Sequence, residues 1–140
     1  MSLWSPNHSY HTVKLSDCAA DAWDECSGTL PVDQVGRITH VTSDEVEDAT
    51  GGGDGHTCKD MVVLDSYRVK LRAERQGASD GRVYTLHYVI TDPAGNSTQA
   101  QCTVHVPHDR SGREAVRSES AYCVGGECPD DRGRNPRCMP

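Results

Sequence analysis

The 140-residue sequence predicts an all-β protein that folds as an antiparallel β-sandwich. Two long segments alternate apolar and polar residues and are joined by a turn, which is typical of a β-hairpin. Several shorter alternating segments precede this hairpin, with turn signals between them. No segment has a convincing helical period, so we expect sheets alone to form the core.

The hairpin is predicted over residues 83–92 and 97–106. One face of its first strand consists of Tyr84, Leu86, Tyr88 and Ile90. The matching face of its second strand consists of Ala100, Cys102, Val104 and Val106. Alternation over this length indicates that one face of the hairpin packs on a core. The connection Asp92-Pro93-Ala94-Gly95-Asn96 favours a turn, because proline presets its own φ and glycine or asparagine accepts a positive φ.

Four shorter strands are predicted over residues 11–15, 37–42, 61–64 and 68–75. An acidic connection covers residues 16–36, and a long polar loop covers residues 43–60. The predicted sandwich therefore spans residues 3–109. Residues 110–140 contain few apolar side chains, and we expect them to form an irregular tail that holds Cys123, Cys128 and Cys138.

The composition indicates a thin core outside the cytosol. Only 35% of the residues are hydrophobic and none is Phe, and small domains of this kind are commonly reinforced by disulfides or metal ions. The seven cysteines lack the C-x2-C spacing of zinc sites, so we expect a secreted or cell-surface protein. Reduced, buried thiols in the cytosol are the alternative. No signal peptide is visible, because the first ten residues contain no apolar segment.

Charge and hydropathy exclude two classes of partner. The net charge of −7 argues against binding to nucleic acid or to an anionic membrane surface. No apolar run approaches the length of a membrane span, so membrane insertion is not expected.

Four stretches of the chain carry a family resemblance: LWSPNHSYHTV, DCAADAWDEC, SDEVEDATGGGDGHTCKD and VKLRAERQGASDGRVYTLHYVITDPAGNSTQAQCTVHVPHD. They resemble the immunoglobulin-like repeats of secreted bacterial proteins, which are related to the hyalin-repeat (HYR) family. The segment TDPAGNSTQAQCTVHV is the most similar, since it matches the TDxAGN…C-x-V-x-V ending of hyalin-type repeats. The resemblance covers residues 3–109 and leaves the tail outside.

This resemblance implies an immunoglobulin-like β-sandwich with long loops and without a catalytic site. It implies a module for adhesion, surface assembly or spacing, and it names no ligand. We expect the partner to be a protein or glycan at the cell surface. The sequence also lacks a Gly-x-Ser-x-Gly elbow, a His-Glu-x-x-His helix and a phosphate-binding loop, so we do not expect an enzyme. An accessory binding domain of a larger secreted enzyme is a further alternative.

The acidic loop is a candidate calcium site. Six carboxylates lie near a single lysine there, and four glycines allow the backbone to bend around an ion. Calcium prefers hard oxygen ligands on such loops, although the spacing is not that of an EF-hand. The preferred ligands are Asp44, Glu45, Asp54 and Asp60, and the weaker candidates are Glu47 and Asp48. A solvated acidic loop without metal is the alternative interpretation.

Histidines offer a second possible metal site. The chain contains seven, and two pairs share the same spacing near the predicted first and last strands. If these strand ends meet, zinc or copper could be bound by His8, His11, His105 and His108. The alternative is that these side chains cap strand ends, and we interpret His40 and His87 as packing or surface residues.

Three disulfides are expected within the chain. Short loops would be closed by Cys18–Cys26 and by Cys123–Cys128, and the remaining bridge within the sandwich would be Cys58–Cys102. Spacing alone does not determine connectivity. Cys138 is then left over, either free or in a disulfide with another chain. We expect the two tryptophans, Trp4 and Trp23, to pack over the thin core rather than to contact a partner.

Overall fold

The computed structural model describes Leu3, residues 10–43, 61–72, 81–107 and 122–125, and Cys128. The strands in these residues are β1 (Tyr10–Lys14), β2 (Ala22–Asp24), β3 (Gly28–Leu30), β4 (Gly36–Ser43), β5 (Met61–Val63), β6 (Arg68–Arg72), β7 (Gly81–Thr91), β8 (Ser97–Pro107) and β9 (Tyr122–Gly125). Two single-turn helices, α1 (Leu15–Cys18) and α2 (Val32–Val35), lie between β1 and β4.

The strands pair antiparallel in every sheet, so the predicted all-β class is confirmed. One sheet has three strands in the order β1-β6-β5, and a second has four in the order β8-β7-β4-β9. β2 and β3 form a separate hairpin. The two larger sheets share one core, which includes Val13, Met61, Val69 and Leu71 from the first and Val41, Tyr84, Leu86 and Val104 from the second.

The long predicted hairpin is β7 and β8, and its predicted core-facing residues lie in or against the core. Its turn also follows the prediction. Gly95 has a φ of 90°, and its N–H donates to the Asp92 carbonyl at 3.0 Å. The Asn96 N–H donates to Asp92 Oδ1 at 2.9 Å, so side-chain and backbone bonds together fix the connection.

Hydrogen bonds link the two layers of the sandwich. The buried Tyr84 hydroxyl donates to the Arg72 carbonyl of the opposite sheet at 2.7 Å and accepts from the Arg82 guanidinium at 3.1 Å. At the other end, the Ile38 N–H of β4 donates to the Ser66 carbonyl in the β5–β6 turn at 2.7 Å. These bonds satisfy polar groups that the apolar core alone would leave unpaired.

The acidic connection over residues 16–36 is more ordered than predicted, since it contains α1, β2, β3 and α2. The two helices are held together by Asp33, whose carboxylate accepts from the Ser16 N–H at 3.0 Å and from the Ser16 hydroxyl at 2.7 Å. Leu15 and Val32 are fully buried between them and the core. Gly36 follows α2 because a Cβ there would lie 2.6 Å from the Val32 carbonyl oxygen and 2.8 Å from Leu15 Cδ1.

Part of the predicted irregular tail belongs to the sandwich. Residues 122–125 form β9, which pairs with β4 at the edge of the four-stranded sheet. The sequence analysis missed this strand because a four-residue segment is too short to show alternation. The predicted domain boundary at residues 109 and 110 lies outside the described residues.

Two of the predicted disulfide pairings are wrong. The structure joins Cys18 to Cys102, not Cys18 to Cys26 or Cys58 to Cys102, and it leaves Cys26 as an exposed thiol. Packing explains the exchange, because α1 places Cys18 against the core-facing side of β8, where Cys102 lies. The predicted Cys123–Cys128 disulfide is confirmed. Cys58 and Cys138 lie outside the described residues.

Candidate functional site

The predicted metal ligands form no group in the described part of the chain. Outside the described residues lie Asp44, Glu45, Glu47, Asp48, Asp54, Asp60, His8 and His108. The other two predicted ligands occupy different sheets, with His11 in β1 and His105 in β8. Over the described ranges, no three His, Cys, Asp or Glu side chains are grouped closely enough to hold a metal ion.

A row of residues crosses the outer face of the four-stranded sheet. Gln101 of β8 is opposite His87 of β7, His87 is opposite His40 of β4, and His40 is opposite Gly125 of β9. We call these four residues the histidine row. They face away from the core because the alternate positions of β7, including Leu86 and Tyr88, fill it.

The two imidazoles of this row are stacked. The ring centroids of His40 and His87 are 4.1 Å apart and the ring planes differ by 6°. A threonine hydroxyl contacts one nitrogen of each ring: Thr39 Oγ1 is 2.9 Å from His40 Nδ1, and Thr42 Oγ1 is 3.1 Å from His87 Nε2. The Thr39 hydroxyl also lies 3.2 Å from the His87 carbonyl oxygen, to which it can donate. These contacts fix the orientation of both rings.

Three local features hold His40 in this position. The β4–β7 register shifts between Ile38 and His40, a bulge that redirects the side chains next to it. Gly125 of β9 has a φ of 131°, and a Cβ there would lie 2.7 Å from His40 Cα and 2.8 Å from the Thr39 carbonyl oxygen. The Cys123–Cys128 disulfide links β9 to Cys128, whose N–H donates to the Gly125 carbonyl at 3.4 Å. The backbone on both sides of His40 is therefore closely constrained.

A depression of about 280 Å³ opens beside the stacked rings. It is lined by Thr39, His40, His87, Tyr88, Val89, Gln99, Ala100 and Gln101. This volume lies just below the usual range for drug-sized ligands, so the depression suits a single sugar ring or one side chain. Burial raises the pKa of the Tyr88 phenol.

The outer face around the histidine row is free of acidic residues at every described position of β4, β7, β8 and β9. It carries instead threonines, glutamines, histidines and the exposed Arg37, which is opposite Val89. The whole chain has 21 Asp and Glu against 14 Lys and Arg. The described strands of this sheet therefore depart from the acidic balance of the whole sequence.

A second exposed feature is the β2–β3 hairpin. Trp23 in β2 is 70% exposed, so the predicted packing of this side chain over the core is wrong. The turn is held by Asp24, whose Oδ1 accepts the N–H groups of Cys26 at 2.7 Å and Ser27 at 3.1 Å. Trp4 lies outside the described residues. An exposed tryptophan on an ordered hairpin is suited to contact with a partner.

Sequence reasoning did not select the stacked pair, because His40 and His87 were interpreted as packing or surface residues. Both lie on the polar face of predicted strands. This shared position on the polar face is the one feature of the sequence that could have linked them. The pairing itself depends on the register after the β4 bulge, which local patterning does not specify.

No family model, curated protein or solved structure matches this chain. Among the described residues, no helix has the length and apolar character needed to cross a membrane.

Proposed function

We propose that this chain is a non-catalytic extracellular or cell-surface module for adhesion, surface assembly or spacing. The observation that carries the proposal is the Cys18–Cys102 disulfide, which joins α1 to the core-facing side of β8 across 84 residues of sequence. Disulfides that persist in a folded domain are typical of oxidising compartments. The resemblance to immunoglobulin-like, hyalin-type repeats supports the same assignment, and such repeats are found in secreted and surface proteins.

The described surface supports a role in binding. Trp23 on its hairpin and the depression beside the histidine row are two separate contact surfaces on a framework held by disulfides. A preformed framework limits the ordering entropy that binding costs. The same depression favours a second candidate function, an accessory domain that binds substrate for a larger secreted enzyme.

Thiol trapping in the natural host tests the compartment. Cells are lysed in an alkylating reagent and fractionated. The mass of the intact protein is then measured before and after reduction. We expect the protein in the secreted or surface fraction, with Cys18, Cys102, Cys123 and Cys128 protected from the reagent until reduction. A cytosolic protein whose thiols are all alkylated without reductant would contradict the proposal.

Calcium binding by the acidic loop is part of the proposal. In sequence, residues 44–60 lie between β4 of the four-stranded sheet and β5 of the three-stranded sheet. An ion bound there only in the folded state would stabilise the sandwich by mass action. We expect EDTA to lower the melting temperature by a few degrees and 1 mM calcium to restore it. The double variant Asp54→Asn with Asp60→Asn should remove this effect. At a calcium concentration several times Kd, binding stabilises the folded state by roughly 1 kcal/mol.

Zinc and copper serve as the comparison in the same experiment. The alternative site at His8, His11, His105 and His108 predicts a melting shift with either metal that His11→Gln abolishes. No shift with calcium, zinc or copper would remove both metal proposals while leaving the disulfide-based assignment intact.

A further inference from the structure

We infer that the depression beside the stacked histidines binds a carboxylate group. His40 and His87, with ring centroids 4.1 Å apart, belong to its lining together with Gln99 and Gln101, whose side chains end in amides. Imidazole and amide N–H groups are donors suited to carboxylate oxygens. The inference depends on this face alone and holds in any compartment, so its failure would leave the proposed extracellular role unaffected.

The charge carried by the described strands of this sheet favours an anion over a cation. Arg37 lies in β4 two positions before the bulge, and the described positions of the outer face carry no carboxylate that would repel the ligand. A neutral ligand would use the same amides but would gain nothing from Arg37 or from protonation of a histidine. The ligand class selected by these groups is therefore a carboxylate.

Binding is expected to strengthen at acidic pH. Protonation of one stacked ring adds positive charge at the edge of the depression, and a bound carboxylate stabilises that charge. Two described ionisable side chains share the face of the pair, Arg37 on β4 and His105 on β8, and neither is a carboxylate that would repel the ligand. Protonation of a stacked ring therefore adds to the positive charge that Arg37 already gives this face.

A carboxylate could come from an acidic sugar or from an acidic amino-acid side chain. Two probes represent these sources, methyl β-glucuronide and N-acetylglutamate α-amide, each with a neutral partner of the same shape, methyl β-glucoside and N-acetylglutamine α-amide. Titrations of the full chain are followed by backbone-amide NMR at pH 5.5 and 7.5. Ligands of this size are expected to bind with a Kd of about 1–10 mM.

We expect at least one acidic probe to shift the amides of β4, β7 and β8 and to bind roughly tenfold tighter at pH 5.5 than at 7.5, since imidazoles generally gain their proton over this interval. Binding of both acids would show that the carboxylate itself is recognised. Binding of one would identify the sugar or the peptide as the source. Neither acid binding at pH 5.5, or the neutral partners binding equally well, would overturn the inference.

Charge variants at an exposed position locate the site without disturbing the fold. Gln101 is exposed, so Gln101→Glu should weaken binding about five- to tenfold by repulsion at short range, and Gln101→Lys should strengthen it. The matched control is Thr12→Glu, an equal change of charge at an exposed position on the other sheet. Equal effects of Gln101→Glu and Thr12→Glu would place binding elsewhere and overturn the assignment.

Discussion

Asp92 holds the β7–β8 turn through its carboxylate. The N–H and side-chain amide of Asn96 both donate to it, at 2.9 and 3.3 Å, and the backbone bond is the main reason that the pKa of Asp92 is lowered from 3.8. A carboxyl with a lower pKa in the folded state stabilises the protein above its unfolded pKa and loses that contribution as pH falls through the folded value. We expect Asp92→Ala to be less stable than the natural chain at pH 7, with the difference shrinking below about pH 4.

Urea denaturation at pH 7, 5 and 3 measures this difference in the free energy of unfolding. The control is Glu25→Gln, which removes one exposed negative charge from the β2–β3 turn. A difference for Asp92→Ala that stays constant to pH 3 would show that the carboxylate has no role in the turn.

Gly125 shows how one residue positions the histidine pair. Its φ of 131° and the approach of His40 Cα to 2.7 Å of a Cβ built there leave no space for a side chain. We expect Gly125→Ala to destabilise the protein by about 2–4 kcal/mol, the sum of backbone strain and displacement of β9. Gly28→Ala is the matched control, since Gly28 has a φ of 74° with nothing within 4 Å, and it should cost only about 1–2 kcal/mol. Equal losses in thermal or urea unfolding would mean that the contact with His40 is unimportant.

At the scale of elements, β7 connects the two layers as well as the strands beside it. Its Tyr84 is fully buried, and the hydroxyl donates across the sandwich to the Arg72 carbonyl of β6 at 2.7 Å. Tyr84→Phe leaves that carbonyl and the Arg82 guanidinium without this partner, and should cost about 1–3 kcal/mol. Tyr67→Phe, in the half-buried β5–β6 turn, should change the free energy of unfolding by less than about 0.5 kcal/mol. Similar values for the two variants would contradict a structural role for this bond.

The sequence predicted elements whose signals are local. β7 and β8 could be predicted because eleven-residue strands show clear alternation and Asp92, Gly95 and Asn96 form a turn by their own chemistry. β2, β3 and β9 have three or four residues each, which is too short for alternation to be visible. The single-turn helices depend on tertiary contacts such as the Ser16–Asp33 pair, which no local pattern contains.

At the scale of the whole molecule, contacts between residues far apart in the chain could not be predicted from local sequence patterns. Cys102 could be placed on the core-facing side of its strand, but its partner depended on where α1 packs. The nearest cysteine in sequence, Cys26, is in fact an exposed thiol on the β2–β3 turn. The histidine pair was missed for the same reason, since His40 and His87 meet only through the register of β4 and β7. The polar pattern of each strand placed His40 and His87 on an outer face, but only the fold brings the two rings into contact.

Of the two disulfides among the described residues, Cys18–Cys102 should contribute more to the stability of the molecule. In the chain-entropy model, a bridge across 84 residues stabilises the folded state by about 4.5 kcal/mol, whereas the Cys123–Cys128 bridge across 5 residues contributes about 2 kcal/mol. We expect the double variant Cys18→Ala with Cys102→Ala to lose roughly twice as much free energy of unfolding as Cys123→Ala with Cys128→Ala. Cys26→Ser is the control, because an exposed thiol outside any bridge should be replaced with little effect. Urea denaturation at neutral pH compares the free energy of unfolding of the three variants. A larger loss from removing the short bridge than from removing the long one would show that the covalent link between α1 and β8 does not hold the sandwich together.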